Sequence, residues 1–167
     1  PGGEAREIIR AIVTNAKPIA DPDATDSPVM KFARQCGLAL GVLERRGRVV
    51  GLGPRAESWA ILPPADQTRA LTRLWLVDGK VAEPVPPGIR SSLVRVLASV
   101  ETRSWCSLDS VARAVASDVA RSAPAGADPA HPTAMLAWVR SVERVEVDRA
   151  VEMLRWIGVV DLALDGR

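Results

Sequence analysis

Three arginines, Arg45, Arg46 and Arg48, crowd around Gly47 between two short apolar runs. Guanidinium groups at this spacing suit phosphate recognition, because each is permanently charged and offers a planar fork of N–H donors that matches two phosphate oxygens. Lys31, Arg34 and Gln35, one short segment earlier, add two cations and an amide of the kind that contacts DNA backbone or base edges, and Arg55 follows the second apolar run. Between Met30 and Ala56 there are six basic residues and one acid, Glu44. This stretch is locally strongly positive, although the whole chain carries only +2, from 22 basic and 20 acidic residues. The bland alternative is a solvated turn, since charge also keeps exposed strand edges soluble.

The elements that must carry these groups are legible around them. Residues 38–52 are expected to form two short strands joined by a tight turn, with Gly47 supplying the positive φ that a short hairpin loop requires, while Val42, Val49 and Val50 suit a pleated, half-buried surface. Residues 27–36 are expected to be a helix: Asp26 or Ser27 can cap it, Pro28 suits its first position, and Met30, Phe32, Ala33 and Cys36 supply an apolar face. On that reading Lys31, Arg34 and Gln35 stay on the outer face. Helix then hairpin is the back half of a winged helix-turn-helix. A first helix is expected over residues 4–15 from the spacing of Ile8, Ile9, Ile12 and Val13, followed by a polar, proline-bearing loop over 17–28. Beyond the hairpin, residues 65–77 place Leu71, Leu74, Trp75 and Thr68 on one stripe of a further helix.

Gly79, Pro84, Pro86, Pro87 and Gly88 make residues 79–88 the clearest break. Helices are expected beyond it over 89–100, from Ser107 to about Ala120, and over 133–157 with a break near Ser141; 122–132 is a Pro/Ala/Gly loop and Gly158 a helix stop. Val159 to Leu164 alternates like a strand, and Asp165-Gly166 is a hairpin turn with no returning strand, so the chain is expected to be a piece of a longer protein. The expected fold class is mainly α with short β-hairpins, arranged as tandem winged helix-turn-helix domains. The domains are residues 1–78, with a C-terminal packing helix, and residues 89–167, truncated in the wing.

Composition narrows the class further. With 167 residues, 47% hydrophobic and 25% charged, the chain suits two small globular domains. It has neither the long apolar run of a membrane span nor the pattern of a signal peptide, so a soluble, cytoplasmic protein without a membrane partner is expected. Cys36 and Cys106 lack metal-ligand spacing and are expected to be small buried residues. Lysine is rare beside arginine, which reflects either bidentate phosphate contact or a GC-rich genome.

The segment from Trp59 through Leu62-Pro63 and Leu71 to Trp75-Leu76 resembles the W-x-x-L-P-x-x-x-x-x-x-x-L-x-x-x-W-L stretch of bacterial XPB-like helicase-associated winged-helix proteins. Leu97, Ser104-Trp105-Cys106-Ser107-Leu108 and Leu154-Arg155-Trp156-Ile157-Gly158-Val159-Val160 are similar to further patterns of that family. The resemblance covers most of residues 38–164 and consists of packing patterns. It implies tandem winged helices and a link to DNA metabolism, and carries no active-site residue. There is no G-x-x-x-x-G-K-[ST] loop and no D-E-A-H-like box, so these residues are not a motor.

Other chemistry-bearing residues have plainer explanations. Trp59, Trp75, Trp105, Trp138 and Trp156 belong to cores and domain seams before base stacking. The Asp21 to Asp26 run lacks the glycine and closing glutamate of a calcium loop, and His131 has no catalytic or metal-binding neighbours. Gly51-Leu52-Gly53 is a poor match to a dinucleotide-binding turn. The expectation is therefore a non-enzymatic segment, without cofactor or metal, that binds duplex DNA mainly through phosphates, using Lys31, Arg34, Gln35, Arg45, Arg46, Arg48 and Arg55. The alternative is a protein-interaction or dimerisation module built on the second domain, whose helix mixes Glu143, Glu146, Asp148 and Glu152 with Arg144, Arg149 and Arg155.

Overall fold

The computed structural model describes residues 2–15, 19–20, 26–81, 85–101, 104–122 and 132–162, with the side chains at 19–20, 122 and 132–143 left aside. The calcium-loop run before Asp26, Lys17, the loop before Pro132 with His131, the Trp138 side chain and the turn at 165–166 lie outside the described residues.

Helix α1, Glu4–Asn15, turns Ala5 and Ile9 into the core. Strand β1, Ile19–Ala20, follows inside the stretch expected to be loop; two residues are too few to show an alternating pattern in the sequence. Helix α2, Pro28–Ala39, begins as its first residues dictate: Ser27 is the cap, its hydroxyl accepting from the Met30 N–H at 3.3 Å, and Pro28 occupies the first turn. It runs three residues beyond the expected end. Leu38 and Ala39, expected to open the hairpin, extend the helix instead, because an apolar triplet such as Leu38-Ala39-Leu40 satisfies either period. Gly41, at φ +69°, then redirects the chain.

Strands β2, Leu43–Arg46, and β3, Val49–Leu52, form the expected hairpin, with Arg46 opposite Val49 across the two-residue loop Gly47-Arg48. Gly47 takes φ +64° there, as primed two-residue turns require. β3 also pairs antiparallel with β1, giving a three-stranded sheet in the order β1-β3-β2. Helix α3, Ala56–Ile61, follows and buries Trp59; helix α4, Pro64–Val77, buries Leu71 and Trp75 of its expected stripe, with Thr68 and Leu74 half-buried.

Helices α5, Pro87–Ser99, and α6, Leu108–Ser122, pack together, joined at the surface by Arg95, which donates to Asp118 at 2.6 Å. That hydrogen bond, first among its causes, holds the Asp118 carboxyl below the usual carboxylate range, helped by the Ser92 hydroxyl. Helix α7, Pro132–Ile157, shows no break at Ser141. It ends at Gly158, where the Gly158 and Val159 N–H groups both bond the Leu154 carbonyl.

The chain is thus mainly helical, with seven helices and one hairpin among the described residues. Residues 159–162, the described part of the strand expected to open a second wing, are not a strand, and Asp161 accepts the Gly2 N–H at 2.7 Å. One compact unit comprises Pro1–Val81 with Met153–Arg167, and the other Ala82–Glu152. The sequence division gave all of 89–167 to the second domain. The end of α7 belongs with the first unit for local reasons: Trp156 packs against Phe32 with ring centroids 5.5 Å apart and planes tilted by 48°, the Trp75 indole N–H donates to Met153 Sδ, and Arg155 pairs with Glu4 at 2.7 Å. Among the described residues no helix is long and apolar enough to cross a membrane.

Candidate nucleic-acid interface

The joint between α2 and the hairpin is fixed by backbone hydrogen bonds. Leu40 and Gly41 N–H groups close the last turn of α2 on Cys36 and Leu38, the Val42 N–H donates to the Gly37 carbonyl at 2.9 Å, and Gly53 and Arg55 N–H groups donate to Val42 and Gly41. Side chains lock the same joint: Gly37 lies directly against Leu43, where a β-carbon would stand 2.6 Å from Leu43 Cδ1. Helix and hairpin are therefore one continuous piece, and a group on either is held relative to the other.

Arg45, Arg46 and Arg48 are all exposed on or beside the loop. Because strand side chains alternate, Arg46 shares one face with Glu44 and Val49, while Arg45 shares the other with Leu43 and Val50. Arg46 and Glu44 pair at 3.0 Å with both side chains largely in solvent. Such a pair contributes little and gives way readily to a phosphate. The tip therefore presents cations on both faces of the ribbon.

On α2, Lys31 and Gln35 are exposed and one turn apart, on one face. Arg34 is not on that face. It is 6% exposed and donates to Asp26 at 2.8 Å, at the start of its own helix, so it is occupied inside the unit and does not reach an external phosphate. The spacing on the helix allowed either orientation; the carboxylate just ahead of the cap decides it. Arg55 is exposed at the start of α3, with its aliphatic stem lying over Gly41.

Cys36 lies under this surface, fully buried as expected, and desolvation together with the Asp78 charge pushes its thiol up to about 12. Cys106 is exposed, contrary to expectation, as is Trp105 at 71%. Trp59, Trp75 and Trp156 are core residues. Among the described residues no cluster of His, Cys, Asp and Glu is placed to hold a metal ion. Sequence reasoning missed a shallow hollow of about 640 Å³ beside β2, floored by Leu38, Leu43, Leu52 and Pro54. Its one advance signal was Leu52, an apolar residue set between two glycines near an arginine-rich turn.

No protein-family model matches this chain, and no curated protein or solved structure matches it either. The resemblance to helicase-associated proteins rests on its quoted residues, and the fold uses Trp59, Leu71, Trp75 and Trp156 among them as core.

Proposed function

We propose that the chain is a non-enzymatic DNA-binding segment of a helicase-associated bacterial protein of the cytoplasm, contacting duplex mainly through phosphates. The first unit acts as a winged helix, with α2 as the helix laid along the groove and the β2-β3 hairpin as the wing. The second unit, with α5, α6 and the greater part of α7, is the other member of a tandem pair.

The observation that carries this reading is the placement of three exposed guanidiniums, Arg48 in a two-residue hairpin loop and Arg45 and Arg46 in the strand leading into it, on a hairpin rigidly joined to a helix that exposes Lys31 and Gln35. With Arg34 turned inward, α2 offers few groups to base edges, so binding is mostly electrostatic and weakly selective. Replacing Arg45, Arg46 and Arg48 together by glutamate is expected to weaken binding of unrelated duplexes alike, by roughly a hundredfold or more at low salt, and the wild-type log affinity should fall with log salt at a slope of about −3. Unchanged affinity of the triple variant in a fluorescence-anisotropy titration would remove the wing from the interface.

A second reading attaches to the second unit, where the exposed Trp105 favours a protein partner, a second copy of the chain included. Sedimentation of the wild type and Trp105→Ser tests it: association lost in the variant supports the reading, and a concentration-independent monomer for both rules out self-association.

A further inference from the structure

We infer that the hollow beside the wing receives an unpaired base, so that the preferred ligand is duplex DNA continued by a single strand. This rests on the DNA-binding reading and specifies the ligand of the same surface. The hollow runs along β2, the edge strand of the sheet, between the end of α2 and the hairpin. Its lining combines Leu38, Leu43, Leu52 and Pro54 with polar groups, and of the apolar residues Leu52 and Pro54 are exposed. Its rim carries Arg45 and Arg46, the cations assigned to phosphate.

Those two chemistries side by side match a nucleotide taken out of its stack and nothing that an intact duplex presents. A duplex keeps its base faces stacked inside and shows only phosphates, sugars and groove edges, which would satisfy the arginines and leave the apolar floor covered by water. An unpaired nucleotide carries an apolar base face one bond system away from its phosphate. Laying that face on Leu52 and Pro54 removes apolar surface from water while the phosphate is met by Arg45, Arg46 keeping its pair with Glu44. The volume of about 640 Å³ is ample for one base with its sugar. Glu44, also at the rim, is the group that would repel the strand, and its carboxylate is already paired with Arg46. Backbone hydrogen bonds hold the walls in place, from Gly53 to Val42 and from Val42 to Gly37, so the hollow is not made by movement of a loose segment.

The test compares, by fluorescence anisotropy on the whole chain, a blunt duplex with a shorter duplex carrying an oligo-dT tail, the two having the same total number of phosphates. The tailed ligand is expected to bind roughly fivefold tighter, from the apolar surface that one base face buries on Leu52 and Pro54. Leu52→Ser, a change at an exposed position, is expected to abolish that preference while leaving blunt-duplex affinity as it was. Equal binding of tailed and blunt ligands overturns the base site and leaves the wing reading standing. A Leu52→Ser variant that loses affinity for both ligands equally also overturns it, since the residue then serves the wing as a whole. If neither ligand binds at low salt, the DNA-binding reading itself fails.

Discussion

Arg34 shows how one side chain separates stability from binding. Its guanidinium is buried against Asp26, so Arg34→Ala leaves that carboxylate, itself largely buried, without its partner and should cost about 3 kcal/mol in urea denaturation. DNA affinity of the folded variant should be unchanged, in contrast to the tip arginines. Cys36 supplies a pH-dependent expectation. A thiol whose folded value is raised from 9.0 to about 12 favours the folded state fully below pH 9, and that contribution is lost as pH rises from there towards 12. Stability from urea midpoints should therefore fall by about 1.4 kcal/mol per pH unit above pH 9 from this group, and the loss should be absent in Cys36→Ala. In the folded chain a thiol reagent should modify Cys106 and spare Cys36. At this scale the tip arginines and the Ser27 cap were legible because their roles depend on immediate neighbours in the chain. The inward turn of Arg34 was not, since either face of α2 accommodates it until Asp26 is placed in space.

Between elements, Gly47 in the hairpin loop and Gly53 just after β3 make opposite demands. Gly47 needs its positive φ but has open space around it, so Gly47→Ala incurs only local backbone strain, about 1 kcal/mol. Gly53 is where β3 passes close to the end of α2: a β-carbon there would stand 2.5 Å from the Gly41 carbonyl oxygen and 3.0 Å from Leu43 backbone. Backbone must shift to admit it, so Gly53→Ala should be the more damaging change, by about 1–3 kcal/mol in the same denaturation assay. The helix α1 and the hairpin could be read from sequence because each shows its own period over several turns or residues. Strand β1 could not, because its two residues are ordered by pairing with Val49 and Val50, contacts made across a distance the sequence does not display. The added turn of α2 was hidden by the ambiguity of Leu38-Ala39-Leu40.

At the scale of the whole molecule, the first unit is discontinuous in sequence. Phe32, Trp75 and Glu4 find their partners in Trp156, Met153 and Arg155, the last turns of α7. A fragment of residues 1–81 should therefore lack a cooperative unfolding transition, measured by near-ultraviolet circular dichroism during urea titration, and adding a peptide of residues 150–162 should restore it at least in part. The linker near residues 79–88 was visible as a cluster of prolines and glycines, whereas the second junction falls inside an unbroken helix, where composition gives no mark. Where α7 ends in the first unit, residues 159–162 do not form the strand expected after Gly158, and Asp161 accepts from the Gly2 amide.

That discontinuity has a consequence for biosynthesis. Ribosomes deliver a polypeptide from its amino end, so Trp156 emerges long after Phe32 and Trp75. Until it does, the surfaces of Phe32 and Trp75 have no cover, so the wing-bearing half waits, unfinished and open to chaperones, while the internal helical half can complete itself first.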